Sequence, residues 1–432
     1  MNTAYYWMRL ACWSVSLGLF LSFLNCGSAL AFQTDTALPS QIRVQLQVKK
    51  KLSLYFPRSV KRFYASRDFK PVWLIRERGE TGHAWQAMLL LDCVLQYGLS
   101  HADYHPDELT YGVLHDIAEQ SGKIGWEQQA RFEIMLTDAM LTLMVHLHYG
   151  KLNPELPAVR VDAGRGDLRM ETVLAQALSR PNIDETVLAV QPKGQAYQEM
   201  QYWMHKWKGL YLDDCYEVPE ASVRKVAINM ERLRWAAIGT GPYLQVDIPS
   251  FTLSLFLPDS VYRFKIIVGS RMTPTPLLRS HIVAINLVAE NTWLDREKTL
   301  AVIPQNKSRS LVKFVFSGRT TLNLGEIRET ALFGRKVRAL GLGDIGVDKA
   351  DQLAALLLRA DRQPAKQRAL RQNRKAGQAM TINLHSPMPL KITYLSCGFQ
   401  DAQLVTYPDI YQLDPKLEKA IYHEVPKKIA GR

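Results

Sequence analysis

Cysteine is scarce in this chain. There are five in 432 residues, and two of them, Cys12 and Cys26, fall in the first 31. The other three are Cys93, Cys215 and Cys397. In an oxidising compartment they allow one disulfide and one free thiol, or three buried thiols. No Cys-x-x-Cys pair and no His/Cys cluster with metal-ligand spacing occurs, so the common zinc motifs are excluded and neither a metal nor a cofactor is expected. His146 and His148 stand two apart, on different sides of any helix, and read as ordinary helix residues. Acidic residues are outnumbered: 41 Asp and Glu face 54 Lys and Arg, for a net charge of +13 and a pI near 9.4. That balance favours anionic partners such as a membrane surface or a wall polymer. Nucleic acid is not expected, because no DNA- or RNA-binding motif accompanies the charge. Beyond the N-terminus no apolar run is long enough to span a bilayer.

The remaining composition is globular, at 47% hydrophobic and 22% charged, and the length predicts two or three domains. Residues 1–31 have the pattern of a secretory signal. Arg9 supplies the charged start, 10–24 the apolar core, and Ala29-Leu30-Ala31 a small-residue cleavage site before Phe32. An uncleaved membrane anchor is the alternative. Lipidation at Cys26 is disfavoured, because Leu24-Asn25 is a poor lead-in.

From 32 to about 215 the periodicity is helical. Short helices are expected over 42–54, which carries Lys49-Lys50-Lys51, and over 84–96, where Gly98 suits a left-handed cap. The strongest helix spans 132–149, amphipathic and free of Gly and Pro, and Gly150 closes it. A further helix at 197–210 holds Tyr202, Trp203, Met204 and Trp207, better suited to core packing than to a glycan platform. After 243 the period becomes two. Strands are expected at 243–248, 251–257, 261–269, 281–288, 311–317, 320–324, 380–384 and 390–395, the first few joined as antiparallel hairpins and the last two closing the sheet. Residues 352–360 read as a helix. A basic run follows: Arg359, Arg362, Lys366, Arg368, Arg371, Arg374 and Lys375, with only Asp361 against it. It is either a solvated face or a contact for an anionic surface.

Several phrases resemble one family in order. They are Phe63-Tyr64 with Pro71-Val72-Trp73, Tyr97-Gly98-Leu99 with Tyr104-His105, and Tyr149-Gly150-Lys151-Leu152-Asn153-Pro154. Then come Asn229-Met230-Glu231-Arg232-Leu233-Arg234-Trp235, Ile267-Val268-Gly269 with Thr275-Pro276, Lys313-Phe314, and Tyr407-Pro408-Asp409-Ile410-Tyr411 with Leu413-Asp414. Together they resemble the larger Gram-negative L,D-transpeptidases, which carry a helical scaffold before a YkuD-type catalytic domain. The resemblance implies an α+β protein: signal 1–31, scaffold 32–222, β-rich YkuD-type domain 223–415 and tail 416–432. It also implies a periplasmic location and peptidoglycan or a cell-wall enzyme as partner. The small peptidoglycan-binding module of some relatives has no room here. The capping insertion of relatives corresponds to the short segment 292–310.

Such enzymes attack a peptide carbonyl with a cysteine thiolate, a histidine taking the proton and backbone N–H groups holding the oxyanion. The family writes this as Tyr-Leu-His-Asp/Gly-Thr-Pro, then Ser-His-Gly-Cys-Ile-Arg-Val. Laid on Leu332-Phe333 and Arg338-Ala339, the nucleophile position is Asp344, the histidine before it Leu342, the arginine after it Gly346, and the first phrase's histidine Gly325. Arg338 and Gly343 remain as site frame. A carboxylate is a poor nucleophile toward a peptide, so the resemblance implies a degenerate, non-catalytic homologue that binds peptidoglycan or a wall-synthesis partner. The alternative is an active variant transferase making or editing cross-links. Its candidate groups are Cys397, with His281 or His385 brought near by folding, or the carboxylates Asp344, Glu326 and Glu329. Asp344 is also a candidate cap for a helix near Val347.

Overall fold

The computed structural model describes residues 37–47, 52–75, 82–119, 122–209, 218–236, 241–288, 311–318 and 320–422. The expected signal segment 1–31, Lys49-Lys50-Lys51, Cys215 and the 292–310 segment lie outside them. The helices are α1 (Ala37–Gln47), α2 (Pro57–Ala65), α3 (Gly82–Asp92), α4 (Tyr111–Glu119), α5 (Trp126–His148), α6 (Ala158–Asp162), α7 (Met170–Leu178), α8 (Asp184–Leu188), α9 (Gln195–Lys208) and α10 (Glu220–Trp235). The first eight described strands are β1 (Tyr243–Asp247), β2 (Thr252–Leu257), β3 (Ser260–Gly269), β4 (Leu278–Val288), β5 (Leu311–Phe316), β6 (Leu324–Glu326), β7 (Ala339–Gly341) and β8 (Ile345–Val347). Then follow α11 (Ala350–Ala360), α12 (Pro364–Lys375), β9 (Met380–Thr393), β10 (Cys397–Gln400), β11 (Gln403–Thr406) and α13 (Asp414–Tyr422). The expected α+β division, helices first and strands after, is what the chain adopts.

The first helical layer wraps around α5. An amphipathic helix was expected there, but α5 is enclosed on all sides: from Gln129 to Leu147 only Arg131 is not buried. Its polar positions face loop backbone instead of water. The Glu133 carboxylate accepts N–H bonds from Val72, Trp73 and Leu74 and a bond from the Tyr64 hydroxyl. Asp138 accepts from the N–H groups of Tyr55 and Phe56 and meets His105 Nε2 at 2.7 Å. Buried charge is tolerated where every lone pair finds a donor. His146 lies buried against the Tyr104 hydroxyl, while His148 sits near the surface on the Val190 carbonyl and Asp167, so the two do serve separate sides. The second predicted helix ends early, at Asp92, and continues as a 3₁₀ turn over Val94–Tyr97. Gly98, at φ 65°, closes it as the sequence predicts, and Ala227 of α10 packs where a side chain would stand.

α10 faces both halves of the chain. Arg234 donates to the Tyr97 carbonyl at 2.6 Å and to the Tyr197 hydroxyl, and Glu231 accepts the Leu152 N–H. On its other side Arg232 pairs with Asp414 at 2.6 Å, and Asn229 holds Ser396. Trp203 and Trp207 of α9 pack on Phe399, so these aromatics do join a core, whereas Tyr202 is 52% exposed.

The strands pair in the order β2-β1-β9-β4-β5-β6-β8-β3, and β3 pairs back onto β2, so the sheet closes on itself; β7 adds along the end of β3. Closure removes the exposed edges of an open sheet. Leu244, Val246, Ile266, Ile285, Phe314 and Leu390 fill the core, and Leu353, Leu357 and Leu358 of α11 extend it. Two expectations fail here. Residues 380–384 and 390–395 do not form two closing strands. Up to Thr393 they belong to the single strand β9, which lies between β1 and β4, and the register jumps from Ile282↔Met388 to Ala284↔Asn383. The residues between, including Pro387 with no N–H to donate, form the bulge that looks like a break in sequence. The strand expected at 320–324 instead occupies Leu324–Glu326.

Asp247, at the end of β1, is buried among Ser250, Thr393 and the Leu395 N–H. Burial pushes its carboxyl up to about 6. A raised carboxyl contributes stability that is present below its unfolded value and lost as pH rises through 6. Relative to Asp247→Asn, the wild type should therefore gain stability at pH 4 and lose on the order of 2–3 kcal/mol of that advantage by pH 8. Urea unfolding of both proteins at the two pH values measures this, and a pH-independent difference would contradict it.

Candidate functional site

The site region is built by β6, the β7–β8 turn and the loop after β3. Thr275 Oγ1 accepts from the Gly269 N–H at 2.8 Å and donates to the Gly343 carbonyl at 2.8 Å. Thr273 Oγ1 and the Ser270 N–H both donate to the Gly341 carbonyl. Tyr411 closes the clamp, donating to the Gly269 carbonyl at 2.7 Å while accepting the Thr275 N–H. Thr275 and Tyr411 thus position residues 341–343. Sequence reasoning quoted both as parts of recurring phrases and gave neither a role. Gly343 turns the chain at φ 103°, a conformation that favours glycine. Arg338 also serves the frame, donating to the backbone carbonyls of Ile266, Phe251 and Arg335, each at 3.0 Å.

The three positions laid on the family's cysteine and histidines sit in different surroundings. Both Asp344 oxygens are held by Asn323, one by its backbone N–H and one by its Nδ2, each at 2.9 Å. Asp344 therefore anchors the lead-in to β6 and caps no helix; α11 begins at Ala350 with Lys349 in the cap position. Leu342 points to solvent, 63% exposed. Gly325 is buried in β6 against β5, and a Cβ there would lie 2.6 Å from the Val312 carbonyl oxygen. Gly346 is covered by Ile327, whose Cδ1 would be 1.6 Å from an added Cβ.

The alternative groups do not converge. In the parallel β6–β8 register Leu324 faces Ile345 and Glu326 faces Val347, so Asp344 and Glu326 stand about three positions, roughly 10 Å, apart along the ladder. Glu326 is buried and paired with Arg374 of α12 at 2.6 Å, and Glu329 is exposed. Cys397 is a buried free thiol at the start of β10; it accepts from Asn229 Nδ2 and donates to the Lys225 carbonyl. Burial pushes it up to about 12, so almost no thiolate forms at neutral pH. His281 lies on exposed backbone opposite Pro389, and His385 sits over Asp361. Neither bonds the thiol. Cys93, the other described cysteine, is free and half-buried beside α3, with its thiol also pushed up by burial. Among the described residues no group of three or more His, Cys, Asp or Glu is placed to hold a metal ion.

A helical layer around a buried central helix, joined by α10 to a closed β sheet, defines an α+β architecture. Residues 58–204 match the family model described as "Scaffold domain". The chain is 22% identical over 427 residues, covering 85% of it and 80% of the relative, to a Haemophilus influenzae protein named "Putative L,D-transpeptidase". Both matches support a relationship to the L,D-transpeptidases that carry a scaffold domain.

Proposed function

We propose that this chain is a non-catalytic, periplasmic member of that family, which binds peptidoglycan or a cell-wall synthesis enzyme without turnover. One observation carries the reading: the residue at the nucleophile position, Asp344, has both oxygens bonded to Asn323, and among the described residues no histidine bonds it. Loss of a nucleophile and its base together removes many orders of magnitude of rate. The frame around it, Thr275, Arg338, Gly343 and Tyr411, is kept, which suits recognition more than chemistry. The name of the Haemophilus influenzae relative and the scaffold match support a role at the wall.

The test is incubation of the purified chain with muropeptides and, separately, with a carbapenem, followed by intact-mass measurement. The expected mass is unchanged and no cross-linked product forms. Co-sedimentation with purified sacculi, or capture of a wall enzyme, is expected to succeed. An acyl adduct on any residue, or failure to bind both sacculi and wall enzymes, overturns the proposal. Export is checked by N-terminal sequencing, with Phe32 as the expected first residue.

A further inference from the structure

The basic run starts in the last turn of α11, crosses the turn after it and continues along α12. The buried side of α12 carries Leu370 and Arg374, the latter tied to Glu326 and Asp351. Six cations remain exposed: Arg359, Arg362, Lys366, Arg368, Arg371 and Lys375. None has an acidic partner within ion-pair distance among the described residues. The nearby Asp361 is spent on the N–H groups of His385 and Ser386. Arg368, Arg371 and Lys375 fall at i, i+3 and i+7, a stripe roughly 10 Å long. Unneutralised like charges at this density repel one another, a cost that an anionic partner would remove.

We infer that this face is an electrostatic docking surface for an anionic phospholipid membrane. Four of the six groups are arginines, whose planar guanidinium matches phosphate oxygens in bidentate fashion. α12 exposes no aromatic side chain, so it lacks the stacking platform with which proteins grip single-stranded nucleic acid. It exposes no large apolar side chain either, so it adsorbs at headgroup level and does not insert. Mobile headgroups can gather beneath a fixed set of cations, whereas a covalent polymer must match their spacing. This inference is independent of the proposed wall role.

The experiment is co-sedimentation of the full chain with vesicles of phosphatidylcholine alone and of phosphatidylcholine with phosphatidylglycerol, at low and high salt. Binding should rise with phosphatidylglycerol content and fall steeply with salt. The triple variant Arg368→Gln, Arg371→Gln, Lys375→Gln should weaken it about 100-fold. A charge-matched control, Lys61→Gln, Lys70→Gln, Lys193→Gln, alters exposed scaffold lysines and should bind within about threefold of wild type. Because all six positions are exposed, unchanged thermal unfolding should accompany both triples. Equal binding to both vesicle types, an equal loss in the control triple, absence of vesicle binding, or binding to sacculi alone through this stripe would each overturn the inference.

Discussion

Glu133→Ala should lower the stability of the protein by about 4 kcal/mol, measured as a shift in the urea unfolding midpoint. The carboxylate is the acceptor for the N–H groups of Val72, Trp73 and Leu74, in a segment with no strand or helix ladder of its own. Alanine leaves those donors and the Tyr64 hydroxyl facing a void in the middle of the helical layer. Each orphaned buried donor costs about 1–3 kcal/mol, and the missing side chain adds a cavity. Glu133→Gln keeps one acceptor oxygen and should lose about half as much. Burial raises the Glu133 carboxyl to about 7. The contribution of a raised carboxyl is present in acid and lost as pH rises through that value, so the alanine deficit should be larger at pH 5 than at pH 8. A deficit under 1 kcal/mol at both pH values would show that these bonds do not hold the layer.

Gly325→His should cost about 3 kcal/mol and should not rebuild a catalyst, even combined with Leu342→His and Asp344→Cys. Those three changes would return the residue types of the family's catalytic phrases. The β5–β6 pairing opposes the first of them. A Cβ at 325 meets the Val312 carbonyl oxygen at 2.6 Å and Lys313 Cα at 3.3 Å, both backbone atoms that cannot rotate away. Leu342→His should be nearly neutral because Leu342 is solvent-exposed. Asp344→Cys frees both Asn323 donors and should cost about 1–2 kcal/mol. The observable is the carbapenem adduct of the triple variant beside its unfolding midpoint. A stable triple variant that acylates would show that β5 and β6 can part and that only side chains were lost.

The positions of most strands were legible before folding, because alternation of apolar residues survives any tertiary arrangement that buries one face. β1, β2 and β3 begin and end within two residues of the period-two runs. Gly98 was legible for a local reason, since the left-handed turn it closes needs no distant contact. α5 was misread because its buried Glu133, Asp138 and His146 look like a solvent face, and only the loops packed on it reveal them as inward acceptors. β9 was misread because a bulge opposite Ile282 and Ala284 imitates a turn.

The sequence by itself determined which residues fall on the family's catalytic phrases, since residue identity at Gly325, Leu342 and Asp344 needs no coordinates once the flanking phrases are laid down. It also determined the unbalanced charge of the run from Arg359 to Lys375. Only the tertiary structure decided what surrounds the aligned positions: β5 backbone against Gly325, Ile327 over Gly346, and Asn323 on Asp344. Those contacts join segments that are local in the fold but separate in sequence, and close packing at Gly325 leaves no room for a side chain there.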